Sequence, residues 1–369
     1  MILRNRPFMP WILAFVVLSL VTIYLQLQVS ELQKNYKLMH DAVVRARVDA
    51  KNEARADSRV ISNYVPDVTE NNIVVIYNRV PKTASTSFMG LVYDLCKQNK
   101  YHVLHINVTN NMHTLTLANQ VQFANNITNW NAIKPAFYHG HMAFLNFEKW
   151  VPKFGVNRTP LYINLLRKPL DRFVSYYYFL RYGDNFRPHL TRRKHGDTKT
   201  FDECIKIGQP DCNLNNMWLQ IPFLCGHDPA CWKVGNSWAL EEAKRNLQRH
   251  YFLIGITEEL NDFVEVLESV LPQFFKGGHN LFLHNNKSHL RQTTQKLDPL
   301  PETVDKIQHS VVWKMENELY NFALEQFHAV KKRLINASPQ DANQRFISFK
   351  IATKDKLLSL FIFYTYHNI

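Results

Sequence analysis

Apolar and polar positions along the chain follow two different registers. Short runs rich in β-branched and aromatic residues, at 73–77, 101–106, 161–166 and 251–256, are bounded by turn residues and read as buried strands. Between and after them, apolar residues recur at helical spacing over 87–98, 172–180, 238–249, 258–271 and 311–333. Strands alternating with helices predict an α/β fold, a central parallel sheet flanked by helices, with ligands at the carboxyl ends of the strands. No repeat or low-complexity break interrupts residues 72–335, which are expected to form one domain.

The two ends follow neither register. Arg4 and Arg6 precede an apolar stretch at 11–28, long enough to span a thin bilayer. The segment 24–29, YLQLQV, lacks the small-residue cleavage site of a signal peptide, so 11–28 reads as an uncleaved transmembrane signal anchor. The arginines place residues 1–10 in the cytosol and the remainder in the secretory lumen. Residues 29–71 carry charge and a weak heptad pattern, and read as a helical stem or a solvated spacer. At the other end, residues 336–369 close on KLLSLFIFYTYHNI, too short for a second span and expected to pack on the domain or on a partner subunit.

Charge narrows the partners. A formal net charge of +13 favours nucleic acid, anionic lipid or an acidic polysaccharide. A lumenal domain excludes nucleic acid and leaves the other two. Cys204 with Cys212 and Cys225 with Cys231 form close pairs in turn-rich sequence, suited to two small disulfide loops in an oxidising lumen. Zinc is the competing reading, but neither pair has the two-residue spacing of a zinc knuckle. Cys96 is left over and reads as a buried free thiol. Among five glycosylation triplets, those at Asn107 and Asn126 are candidate acceptors.

The first strand leads into PKTASTS, residues 81–87. Lys82 supplies a point charge, and the hydroxyls and backbone N–H groups of 83–87 at a helix start suit a phosphate. The glycines of a nucleoside-triphosphate loop are missing, so the segment suits one phosphate rather than three; an ordinary capped turn is the bland alternative. A second candidate lies in LYINLLRKPLDRFVSYYYF, where Arg167 follows a strand and Ser175 sits on the next helix. Together they suit another phosphate, unless Arg167 merely pairs with Asp171. Two single-phosphate sites on one sheet suggest a nucleotide phosphorylated at two positions.

In FYHGHMAF, His139 and His141 stand two residues apart, so in an extended segment both rings face one side. Such a pair suits proton transfer near neutral pH, although surface and metal-associated pairs share the spacing. RPHLTRRKH, residues 187–195, gathers Arg187, Arg192 and Arg193 without an acid, and reads as a polyanion-binding loop or a solvated basic face.

PKTASTS followed by RKPLDRFVSYYYF resembles the 5'-phosphosulfate loop and the 3'-phosphate segment of sulfotransferases that use 3'-phosphoadenosine 5'-phosphosulfate (PAPS). More narrowly, YNRVPKTASTSF, YHVLHIN, FYHGHMAFLNF, KSHLRQTT and WKMENELYNFALEQF resemble the heparan sulfate 2-O-sulfotransferases over most of residues 72–330. That resemblance implies a P-loop-like sulfotransferase fold with PAPS as donor and no metal. It places the 5'-phosphosulfate on Lys82, Thr83, Ala84, Ser85 and Thr86, the 3'-phosphate on Arg167 and Ser175, and a cofactor-covering segment at Ser288, Thr293 and Lys296. Phe282 stands where the family has a tyrosine. His141 is implied as the base, His139 as its neighbour and Lys82 as the group that offsets charge on the leaving phosphate. Arg79 and Arg291 join Arg187, Arg192 and Arg193 as implied ligands of the acidic polymer. The implied activity is sulfation of the 2-hydroxyl of iduronate, and less so glucuronate, in heparan sulfate, with dermatan or chondroitin sulfate as alternative acceptors. Also implied are a Golgi single-pass type II membrane location and a homotrimer.

Overall fold

The structure, a computed structural model, describes residues 18–30, 72–107, 112–149, 159–284, 293 and 295–335. The chain divides into two units, 1–64 and 65–369. In the first, residues 18–30 are helical, with Leu18, Leu20, Val21, Ile23, Leu25 and Leu27 exposed. No helix among the described residues is long and apolar enough to cross a membrane, and 11–17 of the expected anchor lie outside them. The expected stem falls almost wholly outside the described residues, as does the C-terminal tail.

The second unit is built on five parallel strands: β1 (Val74–Asn78), β2 (His102–His105), β3 (Ala136–Gly140), β4 (Leu161–Leu166) and β5 (Tyr251–Ile256), in the order β2-β3-β1-β4-β5. All but the edge strand β2 are buried at every position, as expected of a parallel sheet covered on both faces. Four of the five strands follow the hydrophobic runs. β3, AFYHG, is short and ends in two residues with weak strand preference, so its composition did not mark it as a strand.

Helix α1 (Ser85–Gln98) follows β1, α2 (Leu117–Asn129) lies between β2 and β3, and α3 (Pro169–Tyr182) follows β4. The chain then runs through α4 (Phe201–Ile207), α5 (Gln220–Cys225) and α6 (Ser237–Arg249) before β5. Five more helices close it: α7 (Leu260–Val270), α8 (Pro272–Phe275), α9 (Gly278–His284), α10 (Pro301–Gln308) and the long α11 (Val311–Ile335), which packs along β5, α6 and α3. The core is rich in aromatics. Phe88 of α1 is fully buried and meets the rings of Tyr77, Phe263 and Phe275. Phe282, where the resemblance leads one to expect a tyrosine, is buried on α9.

Strand order decides where a ligand can sit. From β1 the chain crosses to β2 and returns as β3 on one side, while β4 and β5 lie on the other, so the crevice opens at the carboxyl ends of β1 and β4. A buried polar cluster pins those ends together. The Asn164 amide donates to the Asn78 carbonyl and Oδ1 at 2.7 and 2.8 Å, the Tyr251 hydroxyl donates to the same Oδ1 at 3.0 Å, and Asn78 donates to the Phe223 carbonyl at 3.3 Å. Each member is hydrogen-bonded, which is the condition for keeping amides in a core without a large penalty.

Both expected cysteine pairs are disulfides. Cys204–Cys212 ties α4 to the turn after it, and Cys225–Cys231 ties the end of α5 to its following loop. Cys96 is a free, half-buried thiol that donates to the Tyr93 carbonyl. Asn107 and Asn126 are exposed, the condition a glycan requires.

Candidate active site

β1 ends at Asn78, and the chain must reverse its amide groups within six residues to enter α1. It does so through two left-handed residues, Lys82 at φ 69° and Ala84 at φ 56°. Non-glycine residues adopt that region at a cost, and alternating right- and left-handed backbone turns successive N–H groups into one concavity suited to an anion. Ala84 is the N-cap of α1 and makes no side-chain cap, so the helix begins with its positive dipole end at this turn. Pro81, Lys82, Ala84, Ser85, Thr86 and Ser87 line a cavity of about 830 Å³. Thr83 does not line it. Its hydroxyl is buried and donates to the Val80 carbonyl at 3.0 Å, so the loop is held from behind.

The second arm rises from β4. Arg167 follows the strand, Pro169 opens α3, and Asp171, Ser175, Tyr176 and Phe179 of that helix face the same cavity. The Arg167 guanidinium donates to the Lys82 carbonyl at 3.3 Å, which joins the two expected phosphate sites directly. Thr257 and Glu258, just after β5, complete this wall. Across the cavity stand Thr293 and Lys296, and the Thr293 hydroxyl donates to the Gly183 carbonyl at 2.8 Å. The Lys82 ammonium lies 4.1 Å from the Phe179 ring centre, and Arg192 lies 4.3 Å from the same ring while bonded to Asp184 at 3.4 Å. Both are cation–π distances.

The two histidines meet at Arg79, one through its side chain and one through its backbone. His141 Nδ1–H donates to the Arg79 carbonyl at 2.8 Å, which fixes the tautomer and leaves Nε2 as the proton acceptor. His141 lines the cavity. His139, at the buried end of β3, accepts from the Arg79 guanidinium at Nδ1 (3.3 Å), so its Nε2–H donates to the Tyr93 hydroxyl at 2.9 Å. Both ring nitrogens of His139 are therefore engaged, and it supports Arg79 from behind the cavity wall. Arg79 also donates to Ser85 Oγ at 3.2 Å and lines the cavity. Burial, and then the Arg79 charge, push both histidines down to about 3, so each imidazole is neutral near neutral pH.

Thus Arg79, Lys82, Ala84, Ser85, Thr86, His141, Arg167, Ser175, Thr293 and Lys296 share one cavity. Arg192 stands one ring away, behind Phe179. Arg187 and Arg193 are exposed on the loop after α3 and are not part of the cavity lining. Ser288 and Arg291 lie outside the described residues. Sequence reading missed Phe179, Tyr176, Thr257, Tyr93 and His105. Phe179 had a signal, since it sits one helical turn beyond Ser175 and so shares its face. His105, whose ring lies 4.9 Å from that of His139, had none, because only the β2–β3 register places them side by side.

Known proteins share this sequence pattern. A model of the sulfotransferase family matches residues 67–323. A Drosophila melanogaster protein named heparin sulfate O-sulfotransferase is 56% identical over 285 residues, covering 77% of this chain and 80% of its own. Heparan sulfate 2-O-sulfotransferase 1 of Gallus gallus is 50% identical over 324 residues (88% of this chain, 90% of the relative), and that of Homo sapiens is 48% identical over 330 (89% and 91%).

Proposed function

The chain belongs to the sulfotransferase family, and from that premise we propose that it transfers sulfate from PAPS to the 2-hydroxyl of uronate residues, chiefly iduronate, in heparan sulfate. The observation that carries the reading is the arrangement around His141: a neutral imidazole, locked by the Arg79 carbonyl into the tautomer that accepts a proton at Nε2, on the same cavity as Lys82 and Arg167. The relatives' names favour heparan sulfate over dermatan or chondroitin sulfate as acceptor.

The cavity fits a doubly phosphorylated nucleotide on three counts. The left-handed backbone at Lys82 and Ala84 and the uncapped start of α1 suit a 5'-phosphosulfate, Arg167 with Ser175 suits a 3'-phosphate, and about 830 Å³ accommodates a nucleotide together with a sugar hydroxyl. When bound, that donor supplies the sulfuryl group and a phosphate leaving group. His141 takes the proton from the uronate 2-hydroxyl as its oxygen attacks sulfur. Lys82 and the loop N–H groups offset charge gathering on the departing phosphate oxygen. Tyr93 holds His139 and His139 holds Arg79, whose guanidinium lines the cavity beside the position proposed for the acidic sugar. Thr293 and Lys296 close over the nucleotide, and Arg192 extends the basic surface towards the polymer.

The apolar residues 11–28 behind Arg4 and Arg6 support a single-pass type II anchor in the Golgi membrane, and two disulfides suit a lumenal domain. Glycans at Asn107 and Asn126 and a homotrimer complete the proposal. Glycosidase-sensitive mobility and light scattering test these last two points, and an unglycosylated monomer in active protein would exclude them.

The central test is transfer of labelled sulfate from PAPS to N-sulfated heparosan and to desulfated dermatan, wild type beside His141→Ala, with disaccharide analysis of the products. Uronate 2-O-sulfate on the heparan-type chain, lost in the variant while nucleotide binding persists, is expected. Preferential transfer to dermatan would replace the acceptor assignment, and no transfer to either polymer by folded, nucleotide-binding protein would overturn the function.

A further inference from the structure

Arg167 has to present its guanidinium at a fixed point, yet it lies just past the end of β4, where the sheet no longer holds its backbone. A fully buried side chain replaces the missing strand. Gln220, the first residue of α5, accepts from the Arg167 N–H at 2.9 Å through Oε1 and donates to the Arg167 carbonyl at 3.0 Å through Nε2. One amide thus reproduces both hydrogen bonds of a strand partner. Gln220 is held in turn. The fully buried Glu316 of α11 accepts the backbone N–H groups of Leu219 at 2.7 Å, Gln220 at 3.3 Å and Ile221 at 3.2 Å, so it caps α5 from a distant helix. Buried Arg172 of α3, the nearby opposite charge, donates to the Met217 carbonyl at 2.7 Å and lies one turn before Ser175.

Side-chain amides buried this deeply are rare unless something is gained from their polarity, because an apolar residue would cost less to bury. Nothing in the sheet requires Gln220, since β4 already pairs with β1 and β5. What it does is hold in place the residue whose guanidinium reaches from the second arm to the Lys82 carbonyl.

We infer that Gln220, seated by Glu316, is a positioning residue for the reaction: it sets the Arg167 guanidinium for the 3'-phosphate of the donor and thereby the enzyme's preference for a 3'-phosphorylated nucleotide. This rests on the reading that Arg167 takes the 3'-phosphate. Neither Gln220 nor Glu316 lines the cavity, so both act through Arg167 rather than on the ligand.

The test measures dissociation constants of the full chain for adenosine 3',5'-bisphosphate and adenosine 5'-monophosphate, in wild type, Gln220→Met, Arg167→Ala and the double variant. Gln220→Met is expected to weaken the bisphosphate roughly tenfold while the monophosphate changes less than about twofold. The double variant is expected to bind the bisphosphate no more weakly than Arg167→Ala alone, because both substitutions remove one device. Glu316→Gln, which keeps size and an acceptor oxygen, serves if Gln220→Met does not fold; a loss of about threefold confined to the bisphosphate is expected. Equal weakening of both nucleotides, or additive losses in the double variant, would overturn the inference. Unchanged selectivity in Gln220→Met beside lost selectivity in Arg167→Ala would overturn the clamp alone, whereas full selectivity in Arg167→Ala would overturn the 3'-phosphate reading beneath it.

Discussion

The loop after β1 and the basic loop after α3 both carry positive charge to the site, but they are built in opposite ways. The first is fixed by its backbone: two left-handed residues, a buried threonine behind them, and the start of α1. The second, 183–200, is exposed over most of its length and secured near its ends. There the buried Arg181 pairs with Asp197 at 2.8 Å and Asp211 at 2.6 Å and lies 3.5 Å from the Tyr177 ring centre, while Arg192 pairs with Asp184. On the proposed reading, a small anion of fixed shape would be met by preorganised N–H groups, and a long polyanion by exposed charges whose attraction needs less geometry.

That contrast can be broken most severely at the preorganised side. His141→Ala should lower kcat by two to four orders of magnitude and leave nucleotide affinity within about threefold, measured by initial rates and calorimetry. Lys82→Ala should lower kcat by about 10²–10³ and also weaken the nucleotide. If both variants kept most of their activity, the loop would not be the reaction centre.

A smaller but still large effect is expected where the basic loop is anchored. Arg181→Ala takes a buried guanidinium away from Asp211 and from Asp197, which keeps Lys199 at 3.7 Å, and should cost about 3 kcal/mol, read as a fall in thermal midpoint and easier proteolysis between 183 and 200. An unchanged midpoint would show that the loop does not depend on this triad.

Acid should act on the histidine wall. The folded values of His139 and His141, near 3, lie below the unfolded value of 6.5, so the unfolded chain binds more protons between those limits and stability falls as pH drops from about 6.5 towards 3. Replacing both with glutamine should flatten that part of the stability profile, followed by urea titration at several pH values. A profile unchanged by the double substitution would mean that these rings do not carry the dependence.

The mildest expectation concerns the exposed arginines. Arg187→Ala with Arg193→Ala should raise KM for heparan sulfate about three- to tenfold at low salt, shrink in effect as salt rises, and leave nucleotide affinity unchanged. Loss of nucleotide affinity in that variant would erase the division between the two loops.

How much of this was legible follows the range of each interaction. The hydrophobic runs marked β1, β2, β4 and β5 and the helices α1, α3, α6, α7 and α11 within a few residues, whereas α2 was not read, and the cysteine pairs anticipated both disulfides. Lys82, Arg167, Ser175 and His141 were nominated by neighbours in sequence and by resemblance, and the structure brings them to one cavity. His139 was paired with His141 by spacing and by resemblance; the structure bonds the His139 ring to Arg79 and Tyr93 behind the cavity wall and places His141 in the cavity lining. Phe179, which both Lys82 and Arg192 pack against, and the Gln220–Glu316 support of Arg167 were not read at all.

The chain by itself thus determined four of its five strands, five of its helices and the residue types of the candidate site, because those depend on periodicity and turn chemistry among near neighbours. Only the tertiary structure decided which imidazole keeps a free nitrogen, which arginine is held by a buried amide, and which charges stay in water. Those outcomes depend on strand order and on contacts between residues that lie far apart in sequence, and desolvation acts on each group only once such contacts exist.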